Sequence, residues 1–371
     1  MNMKRIYADH AATTPLSEAA WAAMTPFLRE EFGNPSSLHA WARRPREAIA
    51  GARATIAACI GAEPEEIYFT SGGTEADNWV VKGSTGGLMV SSYEHHAVLN
   101  AAMREAEKGR LVCYCKPKME GSVWPDKVTA AWREGVKLVS VMAANNEVGS
   151  RNVLGALARH AHAKGALFHT DAVQAIGHVP VNVKEDEIDF LSASAHKFNG
   201  PKGIGFLYVR KGLSVESLLN GGQQESGFRA GTENVPAIVG MAAALKDNCD
   251  KMEQSTNHLD DLKEELVDGL VHLSRDVYFP GARLGFQLPG FVCVSFPGRS
   301  AEAIVHILDL KGVAISAGAA CDSRNTQVSH VLKAIRLPRE YAEGTVRISL
   351  GVENTKEDIH AIVKAFKVAL R

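Results

Sequence analysis

The sequence predicts an α/β fold with a mostly parallel central sheet flanked by helices, followed by a smaller α+β domain. Two observations carry this prediction. Short apolar runs alternate with helical patterns over the first part of the chain, and strands reappear after a long helical stretch. The 371 residues exceed the roughly 100–200 residues of one typical domain. We therefore expect a large domain at 15–255 and a small domain formed by 1–14 plus 256–371.

The large domain begins with a predicted core helix at Glu47 to Ile60, and Gly61 follows as its expected C-terminal glycine. A second helical pattern runs from Leu154 to Lys164. Parallel sheets bind ligands at the carboxyl ends of their strands, so the residues that directly follow each strand are candidate site residues. The predicted strands are Ile67–Thr70, Gly87–Ser91, Leu111–Cys115, Lys137–Ala143, Ala166–Thr170, Ile188–Ser192 and Ile204–Val209.

The small domain follows a region, Asn234 to Leu273, whose apolar residues recur at helical spacing throughout. A long helix of this kind commonly joins two lobes. The elements predicted after it are strands at Phe291–Phe296, Val313–Ile315 and Thr345–Leu350 and helices at Ala301–Leu310 and Thr355–Leu370.

The composition argues against some classes of protein, namely nucleic-acid-binding and membrane proteins. Hydrophobic residues make up 46% and charged residues 22% of the chain, which is typical of a soluble globular protein. The net charge is -1, and Lys and Arg are dispersed among nearly equal numbers of acids, which argues against nucleic acid as a partner. No apolar run has the length of a membrane span, and the first ten residues contain no apolar signal region. We expect a cytoplasmic protein with no membrane partner.

Six cysteines are too sparse in a chain of this length for a disulfide framework, which agrees with a reducing compartment. At least one thiol is then free to react. No paired C-x-x-C motif indicates zinc, and we predict no metal site.

Lys197 follows the predicted strand Ile188–Ser192 and lies at a crevice position of the sheet. A lysine in such a crevice forms a Schiff base with pyridoxal 5'-phosphate (PLP), and neighbouring hydroxyl and imidazole groups hold the phosphate. The alternative is a solvated lysine, which is common after a strand.

Residues at the ends of other predicted strands favour the cofactor. Asp171 follows Ala166–Thr170, and PLP needs a carboxylate beside its ring nitrogen. Gln174 and Asn146 are candidates for hydrogen bonds to the ring hydroxyl.

A phosphate site is predicted where Thr70 to Glu75 leaves a strand through Gly72 and Gly73 and enters a helix. The alternative is an ordinary Gly-Gly turn. The GK[ST] ending of a Walker loop and a G-x-G-x-x-G after the first strand are both absent, which argues against nucleotides. His95, after the strand Gly87–Ser91, is placed to stack on a cofactor ring and to carry protons.

Taken together, these motifs resemble the cysteine desulfurases of the class V aminotransferase group, which have PLP fold type I. The resemblance covers nearly the whole chain. The matching segments are Tyr7–Thr14, Phe32–Ser37, Ser71–Asn78, Glu94–Leu99, Asn145–Gly149, Thr170–Gly177, Ser194–Gly205, Gly221–Asn234 and Val346–Gly351.

The resemblance implies a role for each candidate residue. Lys197 would be the Schiff-base lysine, Asp171 the partner of the pyridinium nitrogen and His95 the stacking residue. Arg347 would bind the substrate carboxylate with help from Asn34. The phosphate ligands implied are Thr74, Ser194, His196 and, from the neighbouring subunit of a homodimer, Thr232.

Cys321 lies where the family carries its sulfur-accepting cysteine on a flexible loop. The implied reaction converts L-cysteine to L-alanine and leaves the sulfur as a persulfide on Cys321, for delivery to an acceptor such as an iron–sulfur scaffold protein. The surrounding motif is only partly intact. Relatives carry a Ser-Gly-Ser-Ala-Cys-Thr-Ser type of loop followed by Glu-Pro, whereas Ala317 and Ala319 replace serines here, and Asp322-Ser323-Arg324-Asn325 follows the cysteine. An adjacent carboxylate disfavours the thiolate, and Arg324 or His330 would offset it.

Four alternatives remain open at the level of sequence. An aminotransferase or a selenocysteine lyase of the same fold would use the same cofactor, and a cysteine desulfhydrase would release sulfide directly. A catalytically silent scaffold would bind iron–sulfur assembly partners and no cofactor.

Overall fold

The computed structural model describes residues 5–274, 276–281, 286–318 and 328–371. The strands within these residues are β1 (Ile6–Tyr7), β2 (Ile67–Thr70), β3 (Gly87–Ser91), β4 (Val112–Cys115), β5 (Val136–Ser140), β6 (Leu167–Asp171), β7 (Phe190–Ser194), β8 (Gly205–Val209), β9 (Phe291–Ser295), β10 (Val313–Ala314) and β11 (Thr345–Ser349). The α-helices are α1 (Glu18–Arg29), α2 (Arg43–Ile60), α3 (Gly73–Gly83), α4 (His96–Glu107), α5 (Pro125–Ala131), α6 (Leu154–Ala163), α7 (Val235–Asp250), α8 (Met252–Leu273), α9 (Ala301–Leu310), α10 (His330–Ala334), α11 (Arg339–Ala342) and α12 (Lys356–Ala369).

Seven of the described strands form the central sheet, in the order β2-β8-β7-β6-β5-β3-β4. The pairs from β7 to β4 are parallel, and β8 runs antiparallel to both β2 and β7. The predicted mostly parallel α/β sheet is therefore confirmed. Strands β3 and β7 are buried over their whole length, as expected in a sheet covered by helices on both faces.

The helix predicted over Glu47–Ile60 forms as part of the longer α2. Its isoleucines Ile49, Ile56 and Ile60 are buried in the main core. The helix ends at Gly61, whose φ of 72° lies in the left-handed region and whose amide donates to the Ala57 carbonyl. Gly61 therefore takes the C-terminal position that the sequence predicted.

A separate apolar core lies beneath the C-terminal elements. There β9 pairs antiparallel with β11, and β1 pairs in parallel with β10, so the first strand of the chain joins the last third of the sequence. Helices α8, α9 and α12 supply Leu266, Leu308 and Phe366 to this core. Among the described residues no helix is long and apolar enough to cross a membrane.

Several boundaries differ from the sequence-based predictions. The helical region from Asn234 to Leu273 is broken at Lys251, which has φ of -104° and ψ of 5° and separates α7 from α8. Strand β7 lies two residues later than predicted, because the Ile188 amide donates to Val183 in a turn before the strand begins. Helix α1 was not predicted, although Ser17 caps it by accepting a hydrogen bond from the Ala20 amide.

Candidate active site

One cavity opens at the carboxyl ends of the central parallel strands and the start of α3. Because β5, β6 and β7 are parallel neighbours, the residues that follow them meet at one edge of the sheet. Its walls include ten of the residues that the sequence singled out, which are Gly73, Thr74, His95, Asn146, Asp171, Gln174, Ser194, His196, Lys197 and Arg347.

Lys197 lies in a short helical turn, Ala195–Lys197, that directly follows β7. Its Nζ donates to the carbonyl oxygens of Ala11 (2.5 Å) and Ala12 (3.0 Å). Ala11 and Ala12 also line this cavity, so the N-terminal segment forms the wall beside the lysine amine. A half-buried amine held by two carbonyl groups at a cavity wall is placed to react with an aldehyde.

Asp171 ends β6 and is 4% exposed. Its Oδ1 accepts a hydrogen bond from the Val173 amide at 2.9 Å. Burial raises the pKa of Asp171, while the neighbouring His95 and Lys197 act in the opposite direction. Gln174, in the next turn of chain, donates from Nε2 to the Ala11 carbonyl at 2.9 Å. This carboxylate can pair with a cationic ring nitrogen in the cavity.

His95 is the N-cap of α4, where its Nδ1 accepts a hydrogen bond from the Ala97 amide at 3.1 Å. The proton of a neutral ring is therefore on Nε2. Burial lowers the pKa of His95, which keeps the ring neutral near pH 7. A neutral imidazole of fixed tautomer in a cavity can stack on an aromatic ligand and carry a proton.

An anion site lies where α3 begins. Gly73 is its first residue, and a Cβ at Gly73 would lie 2.5 Å from Val173 Cγ2, so only glycine fits here without displacement. The amides of the first helical turn, with the hydroxyl groups of Thr74 and Ser194, line the same part of the cavity. His196 contacts Thr13 Oγ1 through Nδ1 at 3.1 Å, and burial lowers the pKa of His196 to about 4.

Arg347 is the buried cation of the cavity. It is 2% exposed, its Nη2 donates to Asp9 Oδ1 at 2.6 Å, and its Nη1 donates to the Asn146 carbonyl at 2.7 Å. Its Nε finds no hydrogen-bond partner among the described residues. The guanidinium group is thus fixed from two sides and can still bind a carboxylate.

Two predicted residues that the structure describes are not part of this cavity. Asn34 is exposed, and its Oδ1 accepts a hydrogen bond from the Ser36 amide. Thr232 is also exposed and is not part of the cavity wall. Cys321 lies outside the described residues, as do the altered positions Ala319 and 322–325 around it.

Two further residues line the cavity: Glu147, which the sequence analysis missed as a site residue, and His330, which it named only as a group that would act on Cys321. Glu147 is 2% exposed and accepts a hydrogen bond from Ser329 Oγ at 2.5 Å. His330 donates from Nε2 to the Glu94 carbonyl at 2.9 Å, and its ring contacts the His96 ring at a tilt of 43°, with 4.6 Å between ring centroids. The signal that could have identified Glu147 is its position directly after Asn146, in the segment Asn145–Gly149 that follows a predicted strand.

Two further buried carboxyl groups were also missed. Asp77 is 1% exposed and lines the cavity from α3. Glu94 is fully buried next to His95, where its Oε1 accepts hydrogen bonds from Ser91 Oγ and from the Met142 amide. Both belong to motifs that the sequence singled out, but neither directly follows a strand.

The donor set of this cavity fits PLP. A lysine amine lies near a buried carboxylate that suits a protonated ring nitrogen, and a neutral imidazole provides a stacking surface. Helix amides with hydroxyl groups suit a phosphate. An arginine at the other side suits the carboxylate of an amino acid.

Comparison with protein families and relatives agrees with this chemistry. Residues 6–362 match the family model for aminotransferase class-V. The chain is 45% identical over 366 residues to a cysteine desulfurase IscS of Dictyoglomus turgidum (strain DSM 6724 / Z-1310), covering 96% of this chain and 93% of that protein. It is 42% identical over 370 residues to a cysteine desulfurase IscS of Methanosarcina thermophila, covering 97% and 91% of the two chains.

Solved structures give the same result for the fold. A NifS-like protein superposes with a TM-score of 0.92 at 35% identity, covering 99% of each chain. A structure of SspA in complex with cysteine superposes with a TM-score of 0.82 at 32% identity, covering 95% of this chain and 100% of that chain.

Proposed function

The chain belongs to the aminotransferase class-V family and is a PLP-dependent cysteine desulfurase, and we propose that it passes the sulfur of L-cysteine to Cys321 as a persulfide. The observation that carries the proposal is the convergence of Lys197, Asp171 and Arg347 on one cavity. These groups supply an amine for the cofactor, a charge for its ring and a cation for an amino acid carboxylate. PLP itself supplies the electron sink for the reaction at the substrate.

We propose that the cofactor is held at both of its ends. Lys197 binds it covalently, Asp171 pairs with the ring nitrogen, and His95 stacks on the ring. Gln174 and Asn146 flank the ring. The phosphate is bound by Gly73, Thr74, Ser194 and His196 at the start of α3, and by Thr232 of a second copy of the chain.

The substrate is placed by its carboxylate. Arg347 is held by Asp9 and by the Asn146 carbonyl, so its planar fork is fixed before the substrate arrives. Asn34 assists there, although in a single chain it is exposed. Lys197 and His95 are the groups that take up and return the proton at the substrate carbon.

The sulfur step needs no external oxidant. The thiolate of Cys321 attacks the substrate sulfur, the carbon–sulfur bond of L-cysteine breaks, and the carbon gains a proton to give L-alanine. The chain is held at the cavity on both sides of Cys321. Ser316 exchanges two backbone hydrogen bonds with Arg347, and Ser329 donates to Glu147. These contacts support a role for the intervening stretch at this cavity.

We further propose that the enzyme is a cytoplasmic homodimer and that an acceptor protein, such as an iron–sulfur scaffold, removes the sulfur from Cys321. A dimer would bring Thr232, which is exposed in one chain, to the phosphate site of its partner. It would also cover large exposed apolar side chains such as Phe32, Leu38 and Trp41.

The test measures L-alanine and sulfide formed from L-cysteine, with and without a reductant, for the wild type, Cys321→Ala and Cys59→Ala. The wild type should form alanine, and mass spectrometry should find added sulfur on Cys321. Cys321→Ala should lose alanine production. Cys59→Ala, which removes another free thiol, is the matched control and should keep it.

Other outcomes identify other enzymes. Conversion of cysteine by Cys321→Ala at the wild-type rate, with pyruvate as product, would replace the proposal with a β-eliminating desulfhydrase. High activity on selenocysteine with almost none on cysteine would indicate a lyase for the selenium compound. A purified protein that binds no PLP would contradict the assignment as a whole.

A further inference from the structure

A second carboxyl group lies beside Asp171. Asp77, one turn into α3, is 1% exposed and lines the same cavity as Asp171, and each of the two carboxyl groups affects the pKa of the other. Two carboxyl groups buried close together cannot both be ionised at low cost. The pair therefore needs either a cation or a proton.

A line of polar side chains runs from Asp77 across the sheet. His169 and Asp171 are two residues apart on β6 and project from the same face. His169 Nε2 lies 3.0 Å from Ser192 Oγ on β7, and its Nδ1 lies 2.8 Å from Ser140 Oγ on β5. Asp77 lies at the end of this row of side chains, on helix α3, which covers that face of the sheet.

The line provides no cation for Asp77. His169 Nε2 is 3.7 Å from Asp77 Oδ1, but burial lowers the pKa of His169 to about 3, so its ring is neutral. Burial raises the pKa of Asp77, and the carboxyl group of Asp171 raises it further. Asp77 Oδ1 finds no hydrogen-bond partner among the described residues, which is less costly for a neutral acid than for a carboxylate.

The positive group of the cavity acts on the other member of the pair. Lys197, after β7, favours the ionised form of Asp171. The Val173 amide also donates to the Asp171 carboxylate. The asymmetry of these neighbours places the proton on Asp77 and the charge on Asp171.

We propose that Asp77 is a positioning residue that keeps a proton and donates it in a hydrogen bond to Asp171, so that Asp171 stays ionised toward the ring nitrogen of PLP. The pair then carries one negative charge. A pair with two charges would be too costly to bury. A pair with no charge would provide no partner for the ring nitrogen, which would then lose its proton. The inference deepens the proposed function, on which it rests only for the site of the cofactor.

The experiment compares Asp77→Asn with Asp77→Ala. Asparagine keeps a donor and carries no charge, whereas alanine removes the donor. The measurements are the dissociation constant of PLP from the enzyme, the pH midpoint of the visible absorbance of the bound cofactor, and kcat and KM for L-cysteine. We expect Asp77→Asn to stay within about 3-fold of the wild type in each binding and kinetic constant, because the donated hydrogen bond is retained.

Asp77→Ala should bind PLP about 10- to 100-fold more weakly and lower kcat by a similar factor, the range expected for loss of a hydrogen bond to a charged group. KM should change little, because Arg347 is untouched. The pH midpoint of the absorbance should rise, since a ring that has lost its positive charge holds its remaining proton more tightly. Glu66→Gln is the control. Glu66 is a buried carboxyl group that accepts hydrogen bonds from the Glu63 and Lys211 amides, and its substitution should leave the midpoint unchanged.

Two results would overturn the proposal. If Asp77→Asn loses as much as Asp77→Ala, a charged carboxylate is required at this position. If Asp77→Ala keeps the wild-type midpoint and PLP affinity, Asp77 has no influence on the cofactor. If the alanine variant does not fold, the asparagine variant alone still decides whether the charge matters. A wild type that binds PLP but forms no alanine would contradict the proposed function and leave these binding and absorbance tests valid.

Discussion

Lys197 carries the most specific prediction at the scale of single residues. Its Nζ is fixed by two backbone carbonyl groups at the cavity wall. We expect Lys197→Ala to abolish the visible absorbance of the bound cofactor and all turnover, because the variant loses the amine that binds PLP. Lys202→Ala, which removes an exposed lysine nearby in the chain, is the control and should retain both. Turnover by Lys197→Ala would refute the whole assignment.

Substitution of Arg347 tests how the substrate is bound. Lysine at this position provides one ammonium group and cannot contact both Asp9 and the Asn146 carbonyl while also forming two bonds to a carboxylate. Arg347→Lys should therefore raise the KM for L-cysteine by about 10-fold or more and leave PLP binding intact. Steady-state kinetics and a PLP titration measure the two effects. Arg339→Lys, on the exposed surface, should change neither, and an unchanged KM in Arg347→Lys would assign the carboxylate to another residue.

Several of the residues found in advance lie at or just after the end of a strand, or open a helix. Asp171 and Lys197 could be predicted because the carboxyl ends of parallel strands meet. Asp77 could not, because its importance arises from its proximity to Asp171 across 94 residues of chain, and no local pattern records such proximity. Thr232 and Asn34 were proposed through resemblance, and their roles stay predictions.

At the scale of elements, strands buried on both faces were easy to identify and hard to delimit. The apolar run at Lys137–Ala143 continues beyond the end of β5 because Val141 and Ala143 still donate to β6, while the Met142 amide between them turns to Glu94. The apolar pattern is the same for the residues of the strand and for those just after it, so it does not mark where the strand ends. It also missed the break at Lys251, since helices α7 and α8 both continue the pattern on either side of one non-helical residue.

Glu94 links two of these elements, because its carboxyl group joins Ser91 at the end of β3 to Met142 after β5. Burial raises the pKa of Glu94 to about 8 from 4.5, so the folded protein holds a proton that the unfolded chain releases over this interval. Stability from this group is present below the unfolded value and is lost as the pH rises toward the folded value. The slope is up to about 1.4 kcal/mol per pH unit.

Glu94→Gln removes this titration and keeps the shape of the side chain. Relative to the wild type, the variant should gain thermal stability as the pH rises from about 5 to about 8. Thermal unfolding across this interval measures the difference. Glu107→Gln, at an exposed surface position, should show a small and constant difference. Parallel curves for Glu94→Gln and the wild type would mean that Glu94 does not carry the buried proton.

At the scale of the whole molecule, the division predicted at residue 255 stays a prediction. The described residues do form separate apolar cores, and Leu259, Leu262 and Leu266 of α8 pack with the C-terminal elements. The first strand joins the same core through Ile6. A sequence pattern does not reveal that a strand of two residues at one end of the chain pairs with β10 near the other end, because pairing across such a distance depends on the completed fold.

The proposed homodimer can be tested through the composition of its site. If Thr232 binds the phosphate in the partner's site, each cavity contains Lys197 from one chain and Thr232 from the other. Lys197→Ala and Thr232→Asp should each be inactive alone, the first for lack of the amine and the second because a carboxylate repels the phosphate. Light scattering should give the mass of two chains for both variants and for the wild type.

Mixing the two inactive variants, with exchange of subunits, distinguishes the two possible arrangements. In a mixed dimer with shared sites, one cavity carries both substitutions and the other carries neither, because intact Lys197 and intact Thr232 come from different chains. Random exchange makes half of the dimers mixed, so the mixture should recover about one quarter of the wild-type turnover. If Thr232 served the cavity of its own chain, every cavity in a mixed dimer would carry one substitution and no activity would return. Recovery after mixing would therefore place Thr232 in its partner's site, and its absence, with mixed dimers verified by mass spectrometry, would remove Thr232 from the shared site.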